Sequence, residues 1–185
     1  TFNQIKKIFF SLYKVNCIEL KKLNLSKLIS IKVNKKEIGS DRLANAISVM
    51  SKNRNFIVVD FGTATTFDVI KKNNYLGGVI APGVTLSLDN LIKKASLIPN
   101  IELHKSKSII GKNTKQAVLS GFFWGYNGLI NGIISKIKKK TNQKYKIIFT
   151  GGLAHLFNKD IKDKVTIDKN LTINGLIKVS KHFNL

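Results

Sequence analysis

The feature that most limits how this chain can fold is a trio of apolar segments packed into residues 56–82. Phe56-Ile57-Val58-Val59 ends in Asp60, a Gly62-Thr63-Ala64-Thr65-Thr66 turn follows, and Phe67-Asp68-Val69-Ile70 resumes the apolar run. This pattern predicts two strands folded back on each other as a hairpin with a Gly/Thr tip. Tyr75 to Ala81 reads as a third strand, stopped by Pro82-Gly83. Val84 to Ala95 then has helical spacing, with Leu86, Leu88, Leu91 and Ile92 apolar, and Pro99 closes the segment. Lys146 to Phe149 is a further β-run entering Thr150-Gly151-Gly152, and Leu153 to Phe157 begins a helical turn. Two more helices are predicted: Gly39 to Met50, opened by Ser40 or Asp41, and Leu171 to His182. Strands and helices mix, with an antiparallel portion, so the class is α/β.

A length of 185 residues with 43% hydrophobic content suits one compact domain and a buried core, which argues against a disordered tail or a disulfide miniprotein. The single Cys17 excludes an intrachain disulfide and a cysteine-based zinc site, making a reducing cytoplasm the default compartment. Thr1 to Phe10 is too weak for a signal peptide. Gln116 to Ser135 runs without a charge and carries Gly121, Gly125, Gly128 and Gly132, yet its Gln, Ser and Asn residues make it too polar to prefer lipid. It reads as a tightly packed helix, with Phe122, Phe123 and Trp124 offering exposed faces for a homodimer seam. Net charge is +22, but only Arg42 and Arg54 are arginines. Nucleic-acid readers lean on Arg for bidentate contacts, so this excess of Lys predicts non-specific attraction at most.

Candidate chemistry gathers at glycine-punctuated turns. Asp60 ends an apolar strand just before Gly62 and Thr63, where a carboxylate, hydroxyls and backbone amides can meet phosphate and a cation. Taken alone, the same residues suit a capped turn. Gly39-Ser40-Asp41-Arg42 sets a carboxylate and a guanidinium at a helix start, which fits either a polar substrate site or an N-cap with a surface ion pair. Gly111-Lys112-Asn113-Thr114 and Thr150-Gly151-Gly152 repeat the theme at two more helix starts. Together the four turns describe a site for a nucleotide and a small polar substrate. His104, His155 and His182 lack ligand spacing, and neither a Ser/His/Asp constellation nor a Walker loop is present.

These motifs, with Gly77-Gly78-Val79-Ile80-Ala81-Pro82-Gly83 and Ser120-Gly121 before Gly125-Tyr126, appear in the order and spacing of a known family: from about Val33 onward the chain resembles the type III pantothenate kinases. The resemblance implies the ribonuclease-H-like fold of acetate and sugar kinases, Hsc70 and actin, with mixed sheets flanked by helices and an incomplete first lobe. Residues 1–52 would hold the remnant of that lobe plus the substrate-binding helix, and residues 53–185 the second lobe. The implied reaction is ATP-dependent phosphorylation of pantothenate to 4'-phosphopantothenate, the first step of coenzyme A biosynthesis, in a cytoplasmic homodimer without membrane contact.

By the same resemblance Asp41 is the general base, and Gly39, Ser40 and Arg42 hold pantothenate beside it. Thr63 contacts ATP, Asp60 binds a monovalent cation (K+ or NH4+), and Thr114 reaches pantothenate across the dimer. Mg2+ bridges the phosphates. Carboxylates are weak bases, but phosphoryl transfer passes through a loose transition state that needs positioning more than early deprotonation. Two departures stand out. The family's opening Asp-x-Gly-Asn-Thr turn has no counterpart in Thr1 to Ser30, so the chain by itself is expected to be inactive or nearly so. Lys32 and Lys35 occupy positions where the family usually has a Tyr and a Pro, which predicts an altered pantothenate pocket. The alternative implied function is a non-catalytic transcriptional accessory factor of the same fold, like the Bvg accessory factor, binding nucleic acid through its basic surface.

Overall fold

Strand alternation along residues 55–82 builds the centre of the molecule. The computed structural model describes residues 2–185. Strands β2 (Asn55–Phe61), β3 (Ala64–Lys71) and β4 (Asn74–Pro82) form an antiparallel meander. The hairpin tip is shorter than its sequence suggests, because Thr65 and Thr66 already pair with Phe61 and Asp60 as strand residues. Strand β5 (Lys146–Gly151) joins β2 in parallel, β6 (Val165–Ile167) joins β5 in parallel, and the two-residue β1 (Ser30–Ile31) joins β4, giving the order β1-β4-β3-β2-β5-β6. A meander extended on one side by two parallel strands is the ribonuclease-H-like arrangement.

Helices cover both faces. On one side, α2 (Ser40–Val49) and the C-terminal α6 (Leu171–Phe183) pack against each other and onto Phe56, Val58, Ile70 and Tyr75. Leu20, Leu25, Ile29 and Ile38 enter this same core, so residues before position 53 pack with those after it. Gly175 of α6 sits so close to α2 that a Cβ there would lie 1.9 Å from the Ala44 carbonyl oxygen. On the other side lies α4 (Thr114–Thr141), with α3 (Val84–Lys94) and the short α5 (Ala154–Phe157). Asn113 caps α4, its Oδ1 accepting from the Gln116 amide at 2.9 Å.

The core under α4 is aromatic. Phe61 meets Phe149 and Phe157 at centroid distances of 5.0 and 5.5 Å, and Phe123 stacks on Phe157 at 5.8 Å. Phe123 is therefore fully buried and presents no face to a partner, contrary to the sequence expectation; Phe122 and Trp124 beside it are half-buried. The cause is helical periodicity, which turns Leu119, Phe123, Ile130 and Ile134 inward together. The four glycines point away, with nothing among the described residues within 4 Å of a Cβ at Gly121, Gly125, Gly128 or Gly132. No helix among the described residues is long and apolar enough to cross a membrane. Helix α1 (Phe2–Tyr13) carries Ile5, Ile8, Phe9, Phe10 and Leu12 with more than two fifths of each exposed.

Candidate active site

Asp60 of β2 and Thr66 and Asp68 of β3 face α2. Alternation puts Asp60 between the core residues Val59 and Phe61, and Asp68 between Phe67 and Val69, so the apolar neighbours turn toward α4 and the carboxylates toward α2. Asp60 lies opposite Thr66 in the ladder, and Asp68 lies two pairs further along, opposite Val58.

Helix α2 brings its own polar side chains down onto this surface. Gly39 precedes it, and the Asp41 carboxylate folds back over the helix start, its Oδ1 accepting from the Arg42 amide at 2.8 Å. A Cβ on Gly39 would lie 2.2 Å from that oxygen, so glycine leaves room for the carboxylate. The helix N-terminus also favours negative charge there. One turn on, the fully buried Asn45 donates from Nδ2 to Asp60 Oδ2 at 2.9 Å and accepts at Oδ1 from the Thr172 hydroxyl of α6 at 2.7 Å. Burial holds the Asp60 carboxyl above its ordinary range, against the Asn45 hydrogen bond, and the charge of Asp41 adds to the rise.

Arg42 reaches past Asp41 to Asp68. Its Nε and Nη2 both contact Asp68 Oδ1, at 2.8 and 2.7 Å, and the Tyr75 hydroxyl donates to the same oxygen at 2.6 Å. Asp68 is wholly buried, and burial outweighs these three donors, leaving its carboxyl above the usual range. Asp68 Oδ2 and the Thr65 and Thr66 hydroxyls are buried without a hydrogen-bond partner among the described residues. Gly78 makes the arrangement possible: a Cβ there would meet the Phe67 carbonyl at 2.1 Å and Arg42 Nη2 at 2.7 Å.

Among the predicted site residues, Gly39, Ser40, Asp41, Arg42 and Asp60 form one group, and Asp41 is exposed while Asp60 is half-buried. Thr63 lies three residues beyond Asp60 at the exposed β2–β3 turn, at the same end of the sheet. Thr150 pairs with Asp60, and Gly151, at φ +86°, is pressed against the Phe61 carbonyl and Asp60 Oδ1, so the Thr150-Gly151-Gly152 turn joins this end too. Thr114 stands apart, exposed at the start of α4 on the opposite face. Gly111 and Lys112 before it border a separate cleft of about 400 Å³ with His104, Lys107 and Leu119. Sequence reading missed Asn45, Thr172 and Tyr75 altogether. An Asn on the apolar face of a helix was the available signal for the first.

Among the described residues no group of three or more His, Cys, Asp or Glu could hold a metal ion. Asp60 supplies one carboxylate of the kind a hard cation takes, half-buried, with its Oδ2 accepting from Asn45 and its Oδ1 beside the Gly151 backbone.

A ribonuclease-H-like sheet with carboxylates at one end defines the class: the acetate and sugar kinase, Hsc70 and actin fold. A solved protein from Sinorhizobium meliloti described as a 2-dehydro-3-deoxygalactonokinase shares that fold at a TM-score of 0.55 and 11% identity, over 77% of this chain and 58% of its own. A Campylobacter jejuni protein described as a conserved Baf family transcriptional activator superposes at a TM-score of 0.64 with 25% identity, over 88% of this chain and 74% of its own. The model of the type III pantothenate kinase family matches residues 2–136, and a type III pantothenate kinase from Pelagibacter ubique (strain HTCC1062) is 61% identical over 97% of this chain. The chain belongs to the type III pantothenate kinase family. It spans 72% of the length of the Pelagibacter relative and 56 to 57% of seven others that are 41 to 45% identical.

Proposed function

We propose that this chain carries the acceptor-substrate site of an ATP-dependent pantothenate kinase, which transfers the γ-phosphoryl group to the primary hydroxyl of pantothenate and so opens coenzyme A biosynthesis. The observation that carries this reading is the placement of Asp41 at the start of α2, beside Arg42 and at the end of the sheet where Asp60 and the Thr63 turn lie. Asp41 is exposed and accepts the hydroxyl proton, while Gly39, Ser40 and Arg42 hold pantothenate. Thr63 and its turn meet ATP. Mg2+ neutralises the phosphates when bound, held chiefly by substrate oxygens, and Asp60 takes a potassium or ammonium ion.

The same reading divides the chain into residues 1–52, a remnant of the first lobe plus the substrate-binding helix, and residues 53–185, the second lobe. It places the protein in the cytoplasm as a homodimer, with Thr114 reaching the partner's substrate. The hydrogen-bonded set of Thr172, Asn45 and Asp60 favours phosphotransfer over a nucleic-acid-binding accessory role, for which such a set has no use. The lysine excess is expected to give only salt-sensitive attraction to nucleic acid.

The test is Asp41→Asn in a protein that phosphorylates pantothenate in the presence of potassium or ammonium. Turnover is expected to fall by about two orders of magnitude or more at unchanged thermal stability, the scale of general base catalysis. Turnover equal to that of the unsubstituted protein would remove Asp41 as the base.

A further inference from the structure

Asp68 has no part in the chemistry described above, yet its carboxylate is buried and heavily engaged. One of its oxygens collects three donors, Arg42 Nε, Arg42 Nη2 and the Tyr75 hydroxyl, all within 2.8 Å. The two strands that supply Asp68 and Tyr75 are built for this contact. Asp68 pairs with Gly78, and strict alternation along β4 would send Tyr75, three residues earlier, to the opposite face of the sheet. The register shifts between Val69 and Ile70, so that Val69 pairs with Gly77 and Ile70 with Tyr75, leaving Leu76 as an extra residue. Gly77, at φ +115°, supplies the left-handed backbone there. The bulge reverses the parity of β4 and brings Tyr75 to the α2 side, where Asp68 waits. Gly78 then leaves the space that the guanidinium occupies.

We propose that Asp68 and Tyr75 are positioning residues of the acceptor-substrate site: they clamp the Arg42 guanidinium by its Nε and Nη2 edge, so that its remaining N–H groups are presented in one fixed direction to oxygen atoms of the substrate. This rests on the reading of Arg42 as a pantothenate-holding residue. A free arginine must give up rotamer freedom on each binding event, whereas one already fixed by a buried carboxylate has lost it on folding. Tyr75 completes the device by donating to Asp68 Oδ1 from β4, while the arginine's bonds come from α2. The clamp also separates the two aspartates by task, Asp41, held at Oδ1 by the Arg42 amide, for the reacting hydroxyl and Asp68 for the arginine side chain.

The experiment is calorimetric titration of pantothenate into the unsubstituted protein and into Tyr75→Phe, Asp68→Asn, Arg42→Ala and the Tyr75→Phe/Arg42→Ala double variant, with thermal unfolding and ATP titration as controls. Tyr75→Phe is expected to weaken pantothenate binding about threefold to tenfold and Asp68→Asn more than tenfold, the scale of losing neutral and charge-assisted hydrogen bonds to a positioning group. ATP affinity is expected to hold. In the Arg42→Ala background, Tyr75→Phe is expected to add no further loss, which a merely structural tyrosine would not show. Should Asp68→Asn fail to fold, the tyrosine variants decide alone. Pantothenate affinity unchanged in a folded Tyr75→Phe while Arg42→Ala weakens it, or equal losses with and without Arg42, would overturn the clamp and leave Arg42 as a substrate residue. Normal binding by Arg42→Ala, or no binding by the unsubstituted protein, would instead remove the reading on which the clamp rests.

Discussion

The two faces of the central sheet are made by the same three strands and have opposite characters. Toward α4 the strands present Val59, Phe61 and Phe67, which close on Phe123, Phe149 and Phe157 in a layer that is apolar apart from the buried Thr65. Toward α2 the apolar set of Phe56, Val58 and Ile70 gives way at the site end to Asp60, Thr66 and Asp68, with Asn45 and Arg42 lowered onto them. The contrast teaches how a small domain can accommodate buried charge. Desolvating Asp60 and Asp68 disfavours their charged forms, and the opposite face of each strand, one residue away, supplies the packing that holds the strand in place.

The largest expected effect tests the α4 face. Phe123→Ala removes a side chain with no exposed surface that stacks on Phe157 and meets Trp124 edge to face, so chemical denaturation is expected to show a loss of about 3 to 5 kcal/mol. A loss below about 1 kcal/mol would mean that this face is not where stability resides.

The next sharpens the other face through pH. Burial, and then the charge of Asp68, hold the Tyr75 hydroxyl protonated well above the usual tyrosine range. An unfolded tyrosine ionises near pH 10 while the folded one keeps its proton, so the native state binds the extra proton and stability falls as pH rises above about 10. Tyr75→Phe lacks this contribution. Its stability is expected to decline less steeply in that window, by up to about 1.4 kcal/mol per pH unit, as read from denaturation at a series of alkaline pH values. Parallel declines would show that Tyr75 ionises as freely in the folded protein as in the unfolded one.

The smallest concerns the outer side of α4, which belongs to neither core. A Cβ at Gly125 meets nothing within 4 Å among the described residues. Gly125→Ala is therefore expected to stabilise the isolated subunit by up to about 1 kcal/mol through helix propensity. If this stripe is the homodimer seam, the same substitution raises the dimer dissociation constant in sedimentation experiments. Stabilisation without weakened association would move the seam elsewhere.

What could be read in the sequence follows this division. The hairpin, β4, α3, β5 and α6 announced themselves because each is long enough to show a period, and their observed limits differ from the expected ones by only a few residues. Strands β1 and β6 have two and three residues, too short for any alternation to register. The Gly-Ser-Asp-Arg and Asp-x-Gly-Thr turns were visible as local motifs. The contacts that join them were not: Arg42 meets Asp68 across 26 positions and Thr172 meets Asn45 across 127, distances over which no local pattern persists. Tyr75 was hidden for a further reason. Its side follows from a bulge, and alternation alone assigns it to the wrong face.

The close seat of Gly175 against Ala44 ties the site to a contact outside it. Helix α2 packs on both the sheet and α6, and the Thr172 hydroxyl that completes the Asn45 contact comes from α6 as well. A side chain at position 175 would press on the α2 backbone one residue before Asn45, so a change at a position that touches none of the site's polar groups would displace the carboxamide that steadies Asp60.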